Sequence, residues 1–139
     1  MLRLLPFLFL FNSFSLLAQL EIVPFSQMDN PPAFQGCVSD TKEISTACTQ
    51  EAIDAFARNK FNTGLFKGLN LNEKRVRLYA QFTIDTAGSI KDIVVRTAHP
   101  QLEKEIKRVL KLAPRFRPGT HEGKPSAAKY TLPLVFTLG

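Results

Sequence analysis

The sequence predicts an α+β fold: a small antiparallel sheet of about three strands packed against two helices, in the chain order helix, strand, strand, helix, strand. Two observations carry this. Arg75–Asp85, Ser89–Thr97 and Lys129–Leu138 are rich in apolar residues at strand length, the first and last with a strict two-residue alternation. Thr49–Phe61 and His99–Ala113 repeat apolar residues at helical spacing instead. One helical layer on one small sheet buries both kinds of apolar face.

The chain has 139 residues, which suits one domain. It opens on Arg3 and an apolar run, Leu4–Ala18, broken only by Pro6, Asn12, Ser13 and Ser15. As a helix that run would span about 22 Å, short of the roughly 30 Å hydrocarbon core. Residues 1–18 therefore read as a secretory signal cleaved near Ala18–Gln19. Residues 19–45 read as an irregular segment, punctuated by Pro24, Pro31, Pro32 and Gly36, and residues 46–139 as the folded domain. No later segment is long and apolar enough to cross a membrane. Without residues 1–18 the chain has 17 basic and 12 acidic residues, and the net +5 is spread along it as on a soluble basic domain.

Cys37 and Cys48 are the only cysteines. A single pair behind an export signal reads as a structural disulfide, and closing so short a loop stabilises by about 3 kcal/mol. A redox pair or half a metal site is the weaker reading, because there is no C-x-x-C and His99 and His121 stand at no ligand spacing.

The first helix is expected over Thr49–Phe61, with Thr49 as N-cap, Glu51 in the first turn, and Ile53, Phe56, Ala57 and Phe61 on one face. Leu65 and Phe66, beyond it, read as loop anchors to the core. In the first long strand Val76, Leu78, Ala80, Phe82 and Ile84 face the core, while Arg75, Arg77, Tyr79, Gln81 and Thr83 form the wet side. Asp85-Thr86-Ala87-Gly88 is a turn with Gly88 suited to positive φ, and Ser89–Thr97 folds back as a hairpin. In the second helix Pro100 sits in the first turn and Leu102, Ile106, Val109, Leu110 and Ala113 face inward. Glu103, Lys104, Glu105, Lys107, Arg108 and Lys111 cover the outer face, which reads as a solvated helix surface rather than an anion site. Pro114 stops the helix, and Arg115–Ala128 links it to the last strand through turns at Pro118-Gly119 and Glu122-Gly123.

In that last strand Tyr130, Leu132, Leu134 and Phe136 point to the core. Pro133 has no N–H to give a neighbouring strand, so the strand is expected at a sheet edge, with the backbone of Thr131, Pro133 and Val135 on the open side. An edge strand can accept an added strand. Lys129, Tyr130, Thr131, Pro133, Val135 and Thr137 are accordingly the candidate partner-binding residues. Edge strands also pair with one another, which leaves a homodimer open. No G-x-S-x-G, H-E-x-x-H or phosphate-binding glycine loop occurs, and Ser89 and Ser126 have no adjacent base. The sequence thus nominates no catalytic residue, metal ligand or cofactor, and it gives no sign of nucleic-acid binding.

The order of segments resembles the C-terminal domain of the TonB family of energy transducers. The residues that carry the likeness are PPAFQGC (Pro31–Cys37), RLYAQFTIDTAGSIKDIVV (Arg77–Val95), HPQLEKEIKRVLKLAPRFRPG (His99–Gly119) and EGKPSAAKYTLPLVF (Glu122–Phe136). The resemblance implies a periplasmic domain that captures an extended segment, the TonB box, of an outer-membrane transporter by pairing it with the last strand. Two departures stand out. FNTGLFKGLNLNEK (Phe61–Lys74) lacks the tyrosine–proline pair usual in the family, and the chain shows no long proline-rich spacer. The expected role is therefore a stand-alone binding module; the alternative is a structural or assembly protein of the cell envelope using the same fold.

Overall fold

The computed structural model describes residues 21–69, 71–72 and 74–138. The expected signal segment, 1–18, lies outside them. The elements are β1 (Ile22–Pro24), a 3-10 turn (Phe25–Gln27), α1 (Lys42–Lys60), a second 3-10 stretch (Thr63–Leu69), β2 (Arg75–Ile84), β3 (Ile90–Arg96), α2 (Pro100–Lys111), β4 (Thr120–His121), β5 (Lys124–Pro125) and β6 (Ala127–Thr137). The α+β class holds, but the order and the sheet differ in detail: β1 precedes α1, β4 and β5 fall between α2 and β6, and the sheet is larger and mixed, with four strands in the order β1-β6-β2-β3 and β1 parallel to β6. A separate two-stranded ribbon, β4-β5, occupies the expected linker, and its turn residues Glu122 and Gly123 both have positive φ (52° and 73°).

The strand alternation holds nearly as expected. Val76, Leu78, Ala80, Phe82 and Ile84 of β2 and Tyr130, Leu132, Leu134 and Phe136 of β6 are all buried, against Ile53, Ala57 and Phe61 of α1 and its end and Leu102, Ile106, Val109 and Leu110 of α2. Thr83, expected on the wet side, is also buried. In β3 the register with β2 shifts between Gln81 and Thr83, and Asp92 sits there with φ 52°, the extra residue of a bulge.

The first helix begins at Lys42, not Thr49. Thr49 lies within it, fully buried, and its hydroxyl accepts the Phe34 N–H at 3.1 Å. Thr41 is the N-cap position and Glu43, not Glu51, sits in the first turn. The entry segment is pinned to the far side of the chain: Ala33 and Arg117 exchange backbone hydrogen bonds of 3.0 and 2.8 Å, and Asn30 and Thr120 exchange another pair at 3.0 and 2.8 Å. Cys37 and Cys48 form the expected disulfide, with Cα atoms 5.5 Å apart, and it ties this segment to the body of α1. Cys48→Ser is expected to lower unfolding free energy by about 3 kcal/mol in denaturant melts under oxidising conditions. Thiol labelling of the native protein should find no reactive sulfur; two reactive thiols per chain would refute the bridge.

Glu105, expected on the outer face of α2, is buried instead. Its Oε2 accepts the Asn62 N–H at 2.8 Å and an Arg108 Nη2 hydrogen at 2.9 Å, so it caps the exit from α1. The Arg108 hydrogen bond, partly offset by burial and helped by the Asn62 amide, holds the carboxyl below its ordinary 4.5. A lowered folded-state pKa gives stability that is present above the unfolded value and is lost as pH falls through the folded one. Arg108 is half exposed, so solvent screening keeps the contribution small. Glu105→Gln should remove it at pH 7 and leave a shallower loss of stability than the wild type shows as pH falls below the ordinary carboxylate value, read from urea melts across the acid range.

Lys107 pairs with Glu103 at 3.0 Å, as their spacing suggests. Phe66 anchors its loop as expected, stacking on Phe61 with centroids 5.6 Å apart and meeting Phe136 at 5.1 Å. No helix among the described residues is long and apolar enough to cross a membrane.

Candidate binding edge

The candidate residues all belong to β6, and the register decides what each can do. Antiparallel pairing with β2 runs from Ala128 opposite Ile84 to Thr137 opposite Arg75, and it places Pro133 opposite Tyr79 and Val135 opposite Arg77. The Val135 carbonyl accepts a hydrogen bond from Arg58 Nη1 at 2.7 Å, from the side away from β2. The Leu138 N–H, three residues on, turns to β2's side and donates to the Lys74 carbonyl at 2.7 Å. Backbone direction alternates along a strand, so Thr131, Pro133, Val135 and Thr137 all turn their N–H and C=O groups outward. Pro133 thus occupies a position where β2 asks for no donor, and the missing N–H costs the sheet nothing.

The expectation of an edge strand needs one correction. β6 is an inner strand over its first three residues, because β1 lies parallel to Ala127–Lys129, with Pro24 opposite Lys129. Beyond Lys129, no strand among the described residues pairs with the outer side of β6. The extra strand arises because Phe25, just after β1, packs edge-on against Tyr130 with centroids 4.9 Å apart, and so draws Ile22–Pro24 alongside. Of the candidate residues, Lys129 lies in the stretch beside β1, while Thr131, Pro133, Val135 and Thr137 lie on the open stretch. Tyr130 faces inward, and burial, with the Asp54 carboxylate adding to it, pushes its phenol up to about 12. It remains neutral at any working pH and serves the core.

On the solvent face Arg75, Arg77, Tyr79 and Gln81 of β2 stand beside Thr137, Val135, Pro133 and Thr131 of β6. Tyr79 is 47% exposed and Val94 of β3 58%, and with Arg96 they line a shallow groove floored by Gln81 and Thr131. The opposite edge of the sheet, β3, carries the Asp92 bulge beside Lys91, an irregular and charged edge that resists pairing.

Arg58 is the residue that the sequence reading missed. It lies in the last turn of α1, forms an ion pair with Asp54 at 2.7 Å, and stacks over the Phe136 ring at 5.6 Å. The four-residue spacing of Asp54 and Arg58 announces a helix-surface pair. Only the packing of α1 on β6 reveals that the pair overlies the open edge.

No curated protein matches the chain. A family model does, over residues 73–138: Gram-negative bacterial TonB protein C-terminal. The matched span takes in β2, β3, α2, the β4-β5 ribbon and β6, and so contains the whole open edge. This family is one of protein-interaction domains, and residues 73–138 of the chain match it.

Proposed function

We propose that the protein is an exported, periplasmic binding module that captures an extended peptide segment, the TonB box of an outer-membrane transporter, by adding it as a strand to β6. The observation that carries this reading is the outward-turned backbone of Thr131–Thr137, which no strand pairs among the described residues, within a domain of a protein-interaction family. Thr131 and Thr137 offer both a donor and an acceptor there; Val135 offers its N–H, with its carbonyl held by Arg58, and Pro133 offers its carbonyl only. The segment 1–18 supports export as a cleavable signal, with residues 19–45 as the entry to the domain.

Val135→Pro tests the reading. It removes one outward donor, and β2 loses no bond, because Val135 gives it none. Binding of a synthetic TonB-box segment, measured by calorimetry, should weaken about tenfold, the value of one backbone hydrogen bond. Unchanged affinity in a folded variant would place the binding surface elsewhere.

A further inference from the structure

Arg58 reaches from α1 to the one stretch of sheet edge that the proposed function needs. Three contacts hold its guanidinium: Nη1 on the Val135 carbonyl at 2.7 Å, Nε on Asp54 Oδ2 at 2.7 Å, and the Phe136 ring at 5.6 Å from the guanidinium carbon. With these three contacts on the guanidinium, the donor is pre-positioned rather than free. A strand added to β6 would run about 4.8 Å from it and would place its own N–H on the outward carbonyls. The Arg58 nitrogen already stands where that N–H would come at Val135. The two donors compete for one place.

We propose that Arg58 is a latch on the β6 edge: it occupies the Val135 carbonyl in the unbound protein, and an incoming strand must displace it to pair. The proposal rests on the reading of β6 as the strand-accepting edge. Pro133 and Arg58 then protect this edge in complementary ways. Pro133 withdraws a donor in the middle of the open stretch, and Arg58 covers an acceptor two residues on. Together they keep the edge of one copy from pairing with the edge of another, while an incoming segment with enough additional contacts can still open it. Asp54 holds the latch in place, since its carboxylate fixes the guanidinium from the side opposite the carbonyl contact.

A second copy of the protein is the probe, and sedimentation equilibrium the measurement. Arg58→Met keeps an unbranched side chain but removes the charge and every donor. Its self-association constant should rise about tenfold over the wild type, in keeping with the loss of one charge-assisted hydrogen bond that otherwise has to be broken. Adding Val135→Pro to Arg58→Met should return association to the wild-type level, which locates the new contact on this edge. Asp54→Asn, which loosens the guanidinium without removing it, should move association in the same direction by a smaller factor, and it serves as the test if Arg58→Met does not fold. A folded Arg58→Met that associates no more tightly than the wild type overturns the latch. So does tighter association that Val135→Pro fails to reverse. Because no transporter segment is involved, failure here is distinct from failure of the proposed capture, which the Val135→Pro calorimetry reads with the partner segment.

Discussion

Gly88→Ala should be among the most damaging single changes in the domain, lowering unfolding free energy by about 4 kcal/mol and Tm by more than roughly 10 °C. Gly88 has φ +83°, and it closes the β2–β3 turn by donating its N–H to the Asp85 carbonyl at 2.9 Å. The Asp85 side chain braces the same turn by accepting the Ala87 and Ser89 N–H groups, each at 2.9 Å. An alanine here takes on a left-handed backbone at a cost of about 1–2 kcal/mol. Its Cβ would also fall 2.0 Å from the Phe116 carbonyl oxygen, an impossible contact with main chain. Phe116 cannot simply move aside. It is buried, packs edge-on against Phe34 at 5.4 Å, and donates its N–H to the Gly88 carbonyl at 2.9 Å. Either the turn or the Phe116 segment must shift, and overpacking of that kind costs about a further 1–3 kcal/mol. Thermal melts of Gly88→Ala against Ala87→Gly separate the steric cost from any general softening of the turn. A loss below about 1 kcal/mol for Gly88→Ala would mean that Phe116 does not seal the hairpin.

Leu134→Ala should cost about the same, roughly 4 kcal/mol, for a different reason. Leu134 is 0% exposed in the middle of β6, and truncation leaves a cavity among residues too tightly held to close it. Its neighbour Val135 is 38% exposed and points the other way, so Val135→Pro should cost about 1 kcal/mol or less. The two substitutions therefore divide the strand by function. The inward one unfolds the domain and weakens binding only through that loss, whereas the outward one weakens binding while the fold persists. Urea denaturation of both variants decides it. Equal losses of stability would show that the outward backbone of β6 is not the free edge that its register implies.

What the sequence made legible follows from how local each signal is. The two-residue alternation of β2 and β6, the Asp85–Gly88 turn, and the Pro100-headed amphipathic α2 are each written within a dozen residues, and all appear where expected. The disulfide was legible because the chain has a single pair of cysteines. Thr49 misled, because a threonine ahead of an acidic residue looks like an N-cap, while its hydroxyl in fact meets the distant Phe34 amide. Glu105 misled in the same way, since it lies among lysines on paper and against Asn62 in space. β1 could not be read, because a three-residue parallel strand has no period and exists only through pairing with Ala127–Lys129. That omission altered the candidate edge: Pro133 correctly marked which backbone groups face outward, but the extent of the open stretch depended on a segment more than a hundred residues away. Arg58 escaped notice for the same reason.

The central claim, that Thr131–Thr137 accepts an added strand, is tested most directly by residue-resolved amide exchange of the protein with and without a saturating synthetic TonB-box segment. The Leu132 and Leu134 amides face β2 and should be protected in both states. The Thr131 and Val135 amides face the open edge and should become protected only when the segment is bound, with Thr137 following if the added strand runs the full length. Protection that appears on α2 over Leu102–Leu112, with none gained on Thr131 or Val135, would contradict strand capture by β6.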